Sequence, residues 1–545
     1  MKKIIFITLC LSLQILWSVN HISLMNRFDG EHVGSMFGYG LAALDYNGDG
    51  IDDLAVLSPS FNHPGGSSTY PLYRRGKLYF YFGSPDFANK TQPDLTLLRS
   101  EIDDSLNAMI YLKTVDLNGD GLKDLMVYKY ANPGLQLYSG INVFYSGTNC
   151  DTIPDFSYTF HYETLIGGTM YNHSWEPIGD VNGDGCEDIG FTFINLPESG
   201  PTWDNQYYIL YGDPELPHLE YIATWGTDVP FYQPRMRAIG NVNQDAYDDF
   251  LVTYYNTDLN QPISAVVYGG TEINQFISPS QIIDIDFGLE VTHGGAYCGD
   301  INGDGADDFI GDWSSVINPK VWLGGNNDYS NPSLILNGQC YQGKGFSYGD
   351  INGDGYDDII FGDLNNLCQY GKVWIYLGGA YPNSSCDLII EAPSIVPGNG
   401  SFGWRTATGD FNNDGITDIA VGTPCLQDNR EGYVFVYAGN TNILETTVSL
   451  DESTPPASGL SFKAYPNPFN PNIYFELKNA GKEKSLKIDI FNLKGQKVDS
   501  IKLNGGQIKK GKVLWQANNM PSGIYLCQLK ANDQIIASRK VTLLK

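Results

Sequence analysis

The sequence predicts an all-β protein: a seven-bladed β-propeller followed by a small C-terminal β-sandwich. Three observations support this fold class. A nonapeptide of the form D-x-N-x-D-G-x-x-D recurs seven times, starting at residues 45, 116, 180, 241, 300, 350 and 410. Short strand-like segments rich in Tyr, Phe and Val surround every copy, without sustained helical periodicity. A basic segment with a different strand pattern, residues 461–545, follows the last copy.

Each nonapeptide lies between two strand-like segments, such as Leu41–Leu44 and Leu54–Leu57 in the first repeat. A third segment ends in glycine, as in Lys77–Gly83, and a fourth follows, as in Leu95–Arg99. Four short strands in each repeat of roughly 60 residues describe one propeller blade. The propeller is therefore predicted over residues 21–443.

A propeller must close into a ring to hide the edges of its sheets. The fourth strand of the seventh repeat is weak, whereas the segment Ile22–Phe28, ahead of the first repeat, resembles the fourth strands elsewhere. We therefore predict that Ile22–Phe28 pairs on the outside of blade seven and latches the ring.

The charge is unevenly distributed along the 545 residues. The whole chain carries 33 − 62 = −29, and residues 461–545, with 15 Lys/Arg and 5 Asp/Glu, carry +10, which leaves −39 for the rest. An acidic body joined to a basic tail indicates two domains with different tasks, here connected by a linker at 444–460. The acidic body makes nucleic acid an improbable partner, because phosphate contacts need clustered Lys and Arg.

Residues 1–20 have the pattern of a secretory signal peptide. Lys2 and Lys3 precede an apolar run from Ile4 to Trp17, which is too short to span a bilayer, and no other long apolar run follows. An exported chain without a transmembrane span is expected, and export permits disulfides. The cysteines expected to bridge cluster in the last blades: Cys340, Cys368, Cys386 and Cys425.

The repeated loop predicts structural calcium sites, about six or seven in the chain. In the first loop Asp45, Asn47 and Asp49 supply positions 1, 3 and 5, the carbonyl of Ile51 supplies position 7, and Asp53 supplies position 9. Calcium takes ~6–8 oxygen ligands of these types. In the same order, the ligands expected in the other six loops are Asp116, Asn118, Asp120, Leu122 and Asp124; Asp180, Asn182, Asp184, Cys186 and Asp188; Asn241, Asn243, Asp245, Tyr247 and Asp249; Asp300, Asn302, Asp304, Ala306 and Asp308; Asp350, Asn352, Asp354, Tyr356 and Asp358; Asp410, Asn412, Asp414, Ile416 and Asp418.

Strands rather than helices flank these loops, and position 12 lacks a glutamate, so the loops do not match an EF-hand. A single such loop would be an ordinary Asp/Asn/Gly turn as readily as a metal site, but the recurrence favours metal. In the fourth loop Asn241 replaces the first aspartate and Ala246 replaces the glycine at position 6. We expect a strained turn and the weakest calcium occupancy there.

The repeats resemble FG-GAP repeats, the units of the integrin α-chain propeller. The seventh repeat matches best, with Phe402–Gly403, the loop Asp410–Asp418 and then Gly422–Thr423–Pro424. The resemblance implies a seven-bladed propeller with calcium loops on one face and ligand contact usually on the other. Integrins carry fewer such loops, so their partners and activities are not carried over.

The tail resembles the type A sorting domain of the type IX secretion system. The shared residues are the opening Pro466–Asn467–Pro468–Phe469–Asn470–Pro471, the pair Lys494–Gly495 and the segment Pro521–Tyr525. The resemblance implies that the type IX machinery is a partner and that the chain is secreted or held at the outer surface of a bacterium.

The leading hypothesis for function is a surface binding or adhesion module for a glycan or protein ligand. Tyr70, Tyr73 and Trp203 lie in predicted loops between second and third strands and are candidate ligand contacts, although ordinary packing explains them as well. The alternatives are an extracellular enzyme acting on polysaccharide or peptide and a structural component of a surface assembly. No catalytic residue is assigned: Gly345–Gly349 spells G-x-S-x-G, but a calcium loop follows where a nucleophile elbow needs a helix.

Overall fold

The computed structural model divides the chain into two compact units, Met1–Glu445 and Thr446–Lys545. In the first unit it describes residues 22–59, 76–98, 108–130, 138–161, 174–195, 203–227, 235–256, 261–271, 273, 281–283, 296–311, 318–325, 329, 331–337, 345–363, 371–396, 400–425 and 431–443. In the second it describes residues 461–465, 469–478, 486–492, 497–503, 510–518, 520–531, 534–543 and 545. The predicted signal peptide and linker lie outside these residues.

The described residues of the first unit form seven four-stranded antiparallel sheets, one per repeat, so this unit is a seven-bladed β-propeller. Six blades are simple meanders, in which chain order and sheet order coincide. Their strands are β2 to β5 (Gly40–Leu44, Asp53–Ser58, Lys77–Tyr81, Leu95–Leu98), β6 to β9 (Ala108–Val115, Asp124–Tyr130, Tyr138–Phe144, Phe156–His161), β10 to β13 (Ser174–Gly179, Asp188–Asn195, Trp203–Tyr211, His218–Thr227), β14 to β17 (Arg235–Gly240, Asp249–Asn256, Gln261–Val267, Gln281–Ile283), β18 to β21 (Ala296–Tyr297, Phe309–Gly311, Lys320–Trp322, Leu334–Ile335) and β22 to β25 (Phe346–Gly349, Asp358–Asp363, Lys372–Tyr376, Leu388–Glu391). A 3₁₀ turn at Phe87–Asn89 joins β4 to β5.

The seventh blade is built from both ends of the propeller. Strands β26 (Arg405–Gly409), β27 (Asp418–Thr423) and β28 (Tyr433–Ala438) are its first three strands, and β1 (Ser23–Asp29) is the fourth. β1 runs antiparallel to β28, with Phe28 opposite Val434. The predicted latch is therefore confirmed.

A hydrogen bond at every interface between neighbouring blades closes the ring. In each case a residue two or three positions after the third strand donates its N–H to the carbonyl of the second loop residue in the preceding blade, at 2.8 to 3.0 Å. The last interface, from Ser84 of blade one to Phe411 of blade seven, is made in the same way as the other six. The hydrophobic core also connects neighbouring blades, because its apolar clusters lie between the facing sides of adjacent sheets.

The second unit is a β-sandwich of two sheets. One has the order β29–β30–β33 (Ser461–Tyr465, Asn472–Lys478, Lys512–Gln516) and the other β32–β31–β34–β35 (Lys497–Lys502, Leu486–Asn492, Gly523–Ala531, Gln534–Leu543). Alternate residues of β30 and β31, among them Ile473, Phe475, Ile488 and Ile490, are buried in one apolar core around Trp515. This is the period-two pattern of sheets with one buried face.

Candidate metal loops

All seven acidic loops lie at one end of the propeller. Each loop joins the first strand of its blade to the second, as the loop at residues 45–53 joins β2 to β3. The first strands of neighbouring blades lie side by side around the axis and all run toward their loops, for example β26 beside β2 and β2 beside β6. The sequence repeat therefore produces a ring of carboxylates on one face.

Hydrogen bonds from the backbone shape each loop around its carboxylates. In the first loop Asp45 accepts the N–H groups of Asp49 and Gly50 at 3.0 and 2.8 Å, and Asn47 Oδ1 accepts the Asp49 N–H at 2.8 Å. Asp49 Oδ1 in turn accepts the N–H of Ile51 at 3.0 Å. Gly50 has a φ of 87°, a conformation that costs glycine little. Positions 1, 3 and 5 are thus held together at the solvent side of the loop.

Position 9 braces its own blade, a role that the sequence did not predict. Asp53 has 0% exposure; its Oδ2 accepts the N–H of Tyr46 at 3.0 Å and its Oδ1 accepts that of Gly83 at 2.7 Å. The equivalent aspartates of the other six loops are also fully buried, and each accepts one N–H from its own loop and one from the end of the third strand. The carboxylate ties the loop to the strand that continues the blade.

Burial makes the ionised form of these carboxylates costly. It raises the pKa of Asp53 to about 7 and that of Asp188 to about 8, and the charges at positions 5 and 1 raise both further, while the backbone N–H groups oppose the shift. A cation beside positions 1 and 5 would favour the ionised form.

Position 8 connects neighbouring blades, and this too was not predicted. Asp307 Oδ2 accepts the N–H of Asn241 at 2.7 Å, while the Asp307 N–H donates to the Asn241 carbonyl at 3.1 Å. The same carboxylate-to-N–H contact joins Asp52 to Asp410, Glu187 to Asp116, Asp248 to Asp180 and Asp357 to Asp300. The acidic doublet at positions 8 and 9 is the only sequence signal for this pair of braces.

The donor types at positions 1, 3, 5 and 7 suit calcium, which prefers carboxylate, amide and carbonyl oxygens. In the parts of the chain that the structure describes, however, three or more His, Cys, Asp or Glu side chains nowhere form a group that could hold a metal ion. The side chains instead adopt the hydrogen-bonded arrangement given above. The seventh loop departs from it, because Asn412 Oδ1 is buried there and finds no hydrogen-bond partner among the described residues. An acceptor oxygen at ligand position 3 fits a cation.

The fourth loop corrects one expectation. Ala246 does not have a positive φ, so the strain predicted at position 6 is absent there. Position 4 is left-handed in all seven loops, and Gln244, with a φ of 60°, stands where five of the other loops have glycine and one has asparagine. The side-chain amide of Asn241 donates to the Asp245 carbonyl at 2.7 Å, a bond that an aspartate could not make. The turn still holds Asp245 and Asp249 in place.

The other candidate residues fare differently. Trp203 is the first residue of β12 and not a loop residue, while Tyr70 and Tyr73 lie outside the described residues. Ser347 lies within β22, opposite Ile360, and the loop at 350–358 follows, so the helix of a nucleophile elbow is missing there. Cys386, one of the four cysteines expected to bridge, is a free thiol, and Cys340 and Cys368 are outside the described residues.

Comparisons with known proteins agree with both domains. The family model for the FG-GAP repeat matches residues 37–79 and 402–437, and the model for the secretion system C-terminal sorting domain matches residues 463–543. FG-GAP repeats are therefore present in blades one and seven of the propeller, and the tail is a secretion system sorting domain. The chain is accordingly a secreted or outer-surface bacterial protein that engages the secretion machinery. No helix within the described residues is long and apolar enough to cross a membrane.

The chain is similar to parts of larger animal proteins. It is 37% identical over 187 residues to human phosphatidylinositol-glycan-specific phospholipase D, covering 34% of this chain and 19% of that protein. It is 36% identical over 85 residues to chicken integrin alpha-8, covering 15% and 8%. The chain thus spans less than a quarter of the length of these relatives. Among solved structures, an α-L-arabinanase of Penicillium chrysogenum complexed with arabinobiose aligns over 76% of this chain and 97% of its own, with a TM-score of 0.36 and 9% identity.

Proposed function

We propose that the FG-GAP propeller is a calcium-loaded binding module that acts in adhesion or recognition at the bacterial surface, with a glycan or protein as ligand. The observation that carries the proposal is the ring of seven loops, six of which hold carboxylates of positions 1 and 5 at the solvent side by the same pattern of backbone hydrogen bonds. Such a ring gathers like charges on one face, and cations are the natural means of compensation. The sorting domain supplies the route of export.

Calcium would be structural in this function. Its ligands would be the oxygens of positions 1, 3, 5 and 7, with position 9 retaining its bonds to the backbone. When bound, the ion supplies positive charge that offsets the repulsion among the loop carboxylates. Calcium binding is tested by metal analysis of the purified full chain at millimolar calcium, and retention of fewer than about three ions would contradict it.

An enzymatic function is the second candidate, because the matched relatives include proteins named phospholipase D. Only a minor part of those proteins is covered, so their activity is not assigned to this chain. A structural part in a surface assembly is the third candidate and would show as tight binding to one partner protein without glycan affinity.

The deciding experiment measures binding of the full chain to a panel of polysaccharides and to host and microbial cells, in calcium and in chelator. Calcium-dependent binding without turnover supports the binding module. Turnover of a polymer by the folded protein would replace it with the enzyme. A folded, calcium-loaded protein that binds nothing in the panel would contradict the proposal.

A further inference from the structure

The channel of the propeller contains a cluster of cationic and aromatic side chains. The Arg405 guanidinium lies 5.4 Å from the ring centre of Tyr111 and 5.7 Å from that of Trp404. Arg405 belongs to blade seven and Tyr111 to blade two, and blade one stands between them in the ring. A contact that skips a blade in this way is made on the inner side of the ring, so these side chains face the axis.

The FG dipeptides place two of the aromatic rings there. Met36 and Ser401, with φ of 58° and 62°, each begin a turn in which the residue after Phe-Gly donates its N–H back to them at 3.1 Å. The residues positioned by these turns are Tyr39 and Trp404, whose ring centres lie 5.3 Å apart. Two strained turns in equivalent blades thus hold one aromatic pair beside Arg405.

Further cations lie on the neighbouring blades. Glu176 of blade three pairs with Arg237 of blade four and, at 3.4 Å, with Lys113 of blade two. Arg235, on the same strand as Arg237, has a buried Nε for which the described residues provide no hydrogen-bond acceptor. Burial and the charge of Arg237 lower the pKa of Arg235 to about 10, while Glu176 and Tyr111 oppose the shift, which places these groups in one electrostatic cluster.

The cluster contains four cationic side chains and one carboxylate, that of Glu176; the cations are Lys113, Arg235, Arg237 and Arg405. It therefore has a surplus of three positive charges within a chain of net charge −29. Arg235 and Arg405 are the first residues of β14 and β26, so the cluster lies toward the end of the channel opposite the acidic loops. Tyr111 keeps 39% of its surface exposed beside the Arg405 guanidinium. The site therefore presents an apolar ring next to a group that binds carboxylates.

We propose that this end of the channel binds the carboxylate of an acidic sugar, such as a uronic acid residue of a polysaccharide. A uronic acid has an apolar ring face next to its carboxylate, and Tyr111 beside Arg405 and Arg235 matches that combination. The carboxylate would accept hydrogen bonds from guanidinium groups, and the sugar ring would pack on Tyr111. This proposal rests on the binding function proposed above and names the ligand class.

The test is calorimetric titration of the full chain, in millimolar calcium, with short oligogalacturonides and with neutral galactose oligomers of equal length. The variants are Arg405→Gln, Arg235→Gln and, as a matched control, Arg27→Gln, which removes an exposed arginine paired with Asp29 outside the channel. Losing a charge-assisted hydrogen bond should weaken oligogalacturonide binding by at least about tenfold in the first two variants. Arg27→Gln should bind as the natural protein does. Thermal melting verifies that each variant is folded.

Arg405→Lys provides a second readout if Arg405→Gln does not fold. It keeps the charge but loses the planar pair of donors, so we expect an intermediate affinity with a similar salt dependence. Equal affinity for neutral and acidic oligomers would overturn the proposal, as would oligogalacturonide binding that the channel variants leave unchanged; the broader binding function would survive both results. A poly-glutamate peptide that binds more tightly than the oligogalacturonides would assign the site to acidic protein instead. If folded protein binds no polysaccharide, cell or acidic oligomer, both proposals fail together.

Discussion

Replacing Phe28 with alanine should destabilise the contact between the first and last blades, because this side chain packs between the two ends of the propeller. Phe28 belongs to β1, the outer strand of blade seven, yet its ring stacks on Tyr81 of blade one at 3.9 Å between centres. It also meets Phe87 edge-on at 5.9 Å, and only 2% of the residue is exposed. The alanine variant would leave a cavity between the first and last blades.

The expected loss of stability follows from the buried volume and the ring contacts. Phe→Ala substitutions in cores cost about 3–5 kcal/mol, and an aromatic pair adds about 0.5–1.5 kcal/mol beyond area burial. A typical domain is stable by only about 5–15 kcal/mol, so Phe28→Ala should remove a large share of the propeller's stability. Leu24→Ala is the matched control, because Leu24 lies on the same strand with 50% exposure and should cost about 0.5 kcal/mol or less.

Urea unfolding of the full chain measures this difference, with hydrogen exchange used to assign the transition. Protection of the β1–β28 amides should fall first in Phe28→Ala, whereas Leu24→Ala should exchange like the natural protein. If the two variants unfold at the same urea concentration, the view of β1 as an energetic latch is wrong, even though the strand is paired.

Three further predictions follow from the loops and the channel. Asp300→Ala should release one calcium ion and, for a Kd of about 0.2 mM, lower the free energy of unfolding by about 1.4 kcal/mol at 2 mM calcium. Asn241→Ala should cause a smaller loss of stability. Metal analysis measures the bound calcium, and thermal melting with and without chelator measures the stability of each variant. Asp307→Ala should cost about 1–3 kcal/mol by leaving the Asn241 N–H without its acceptor, whereas Glu215→Ala, at an exposed loop, should be neutral in urea unfolding. Burial alone would raise the pKa of Glu176, but Arg237 and Lys113 hold that pKa at about 2, below its ordinary value of 4.5. The ionised Glu176 therefore contributes its full stability above pH 4.5, and this stability is lost as the pH falls toward 2. In that pH range the urea midpoint should drop more steeply for the natural protein than for Glu176→Gln.

The sequence revealed the features that repeat at regular spacing. Seven nonapeptides, the third segments ending in glycine and a spare strand ahead of the first repeat were enough to predict the blades and the latch. The tail was harder to divide, because no repeat marks its strands. β32, Lys497–Lys502, reads K-V-D-S-I-K and forms the edge of its sheet, where charged residues blunt the edge and hide the strand pattern.

What the sequence could not supply are contacts between blades. Glu187 meets the Asp116 N–H across 71 residues, and Asp52 meets that of Asp410 across 358. Local spacing contains nothing about which backbone N–H a carboxylate will find at such a distance. Arg405 and Tyr111 are the same case, because only closure of the ring brings them together. The channel cluster was therefore invisible in the sequence.

The braces and the candidate metal ligands can be separated by comparing loops within the chain. The fourth loop has Asn241 in place of the first aspartate, yet it keeps Asp248 and Asp249, which together accept three backbone N–H groups. The seventh loop has Thr417 at position 8, without a carboxylate, and keeps aspartate at positions 1, 5 and 9. The fourth loop has lost an acidic candidate metal ligand, and the seventh has lost the carboxylate that contacts the neighbouring blade. The acidic nonapeptide therefore contains two separate sets of residues. Carboxylates at positions 8 and 9 make hydrogen bonds between and within blades, and oxygens at positions 1, 3 and 5 face solvent. The oxygens at positions 1, 3 and 5 shape the loop by accepting backbone N–H groups, but they also gather like charges at the solvent side. We therefore propose that a cation which offsets those charges explains their recurrence.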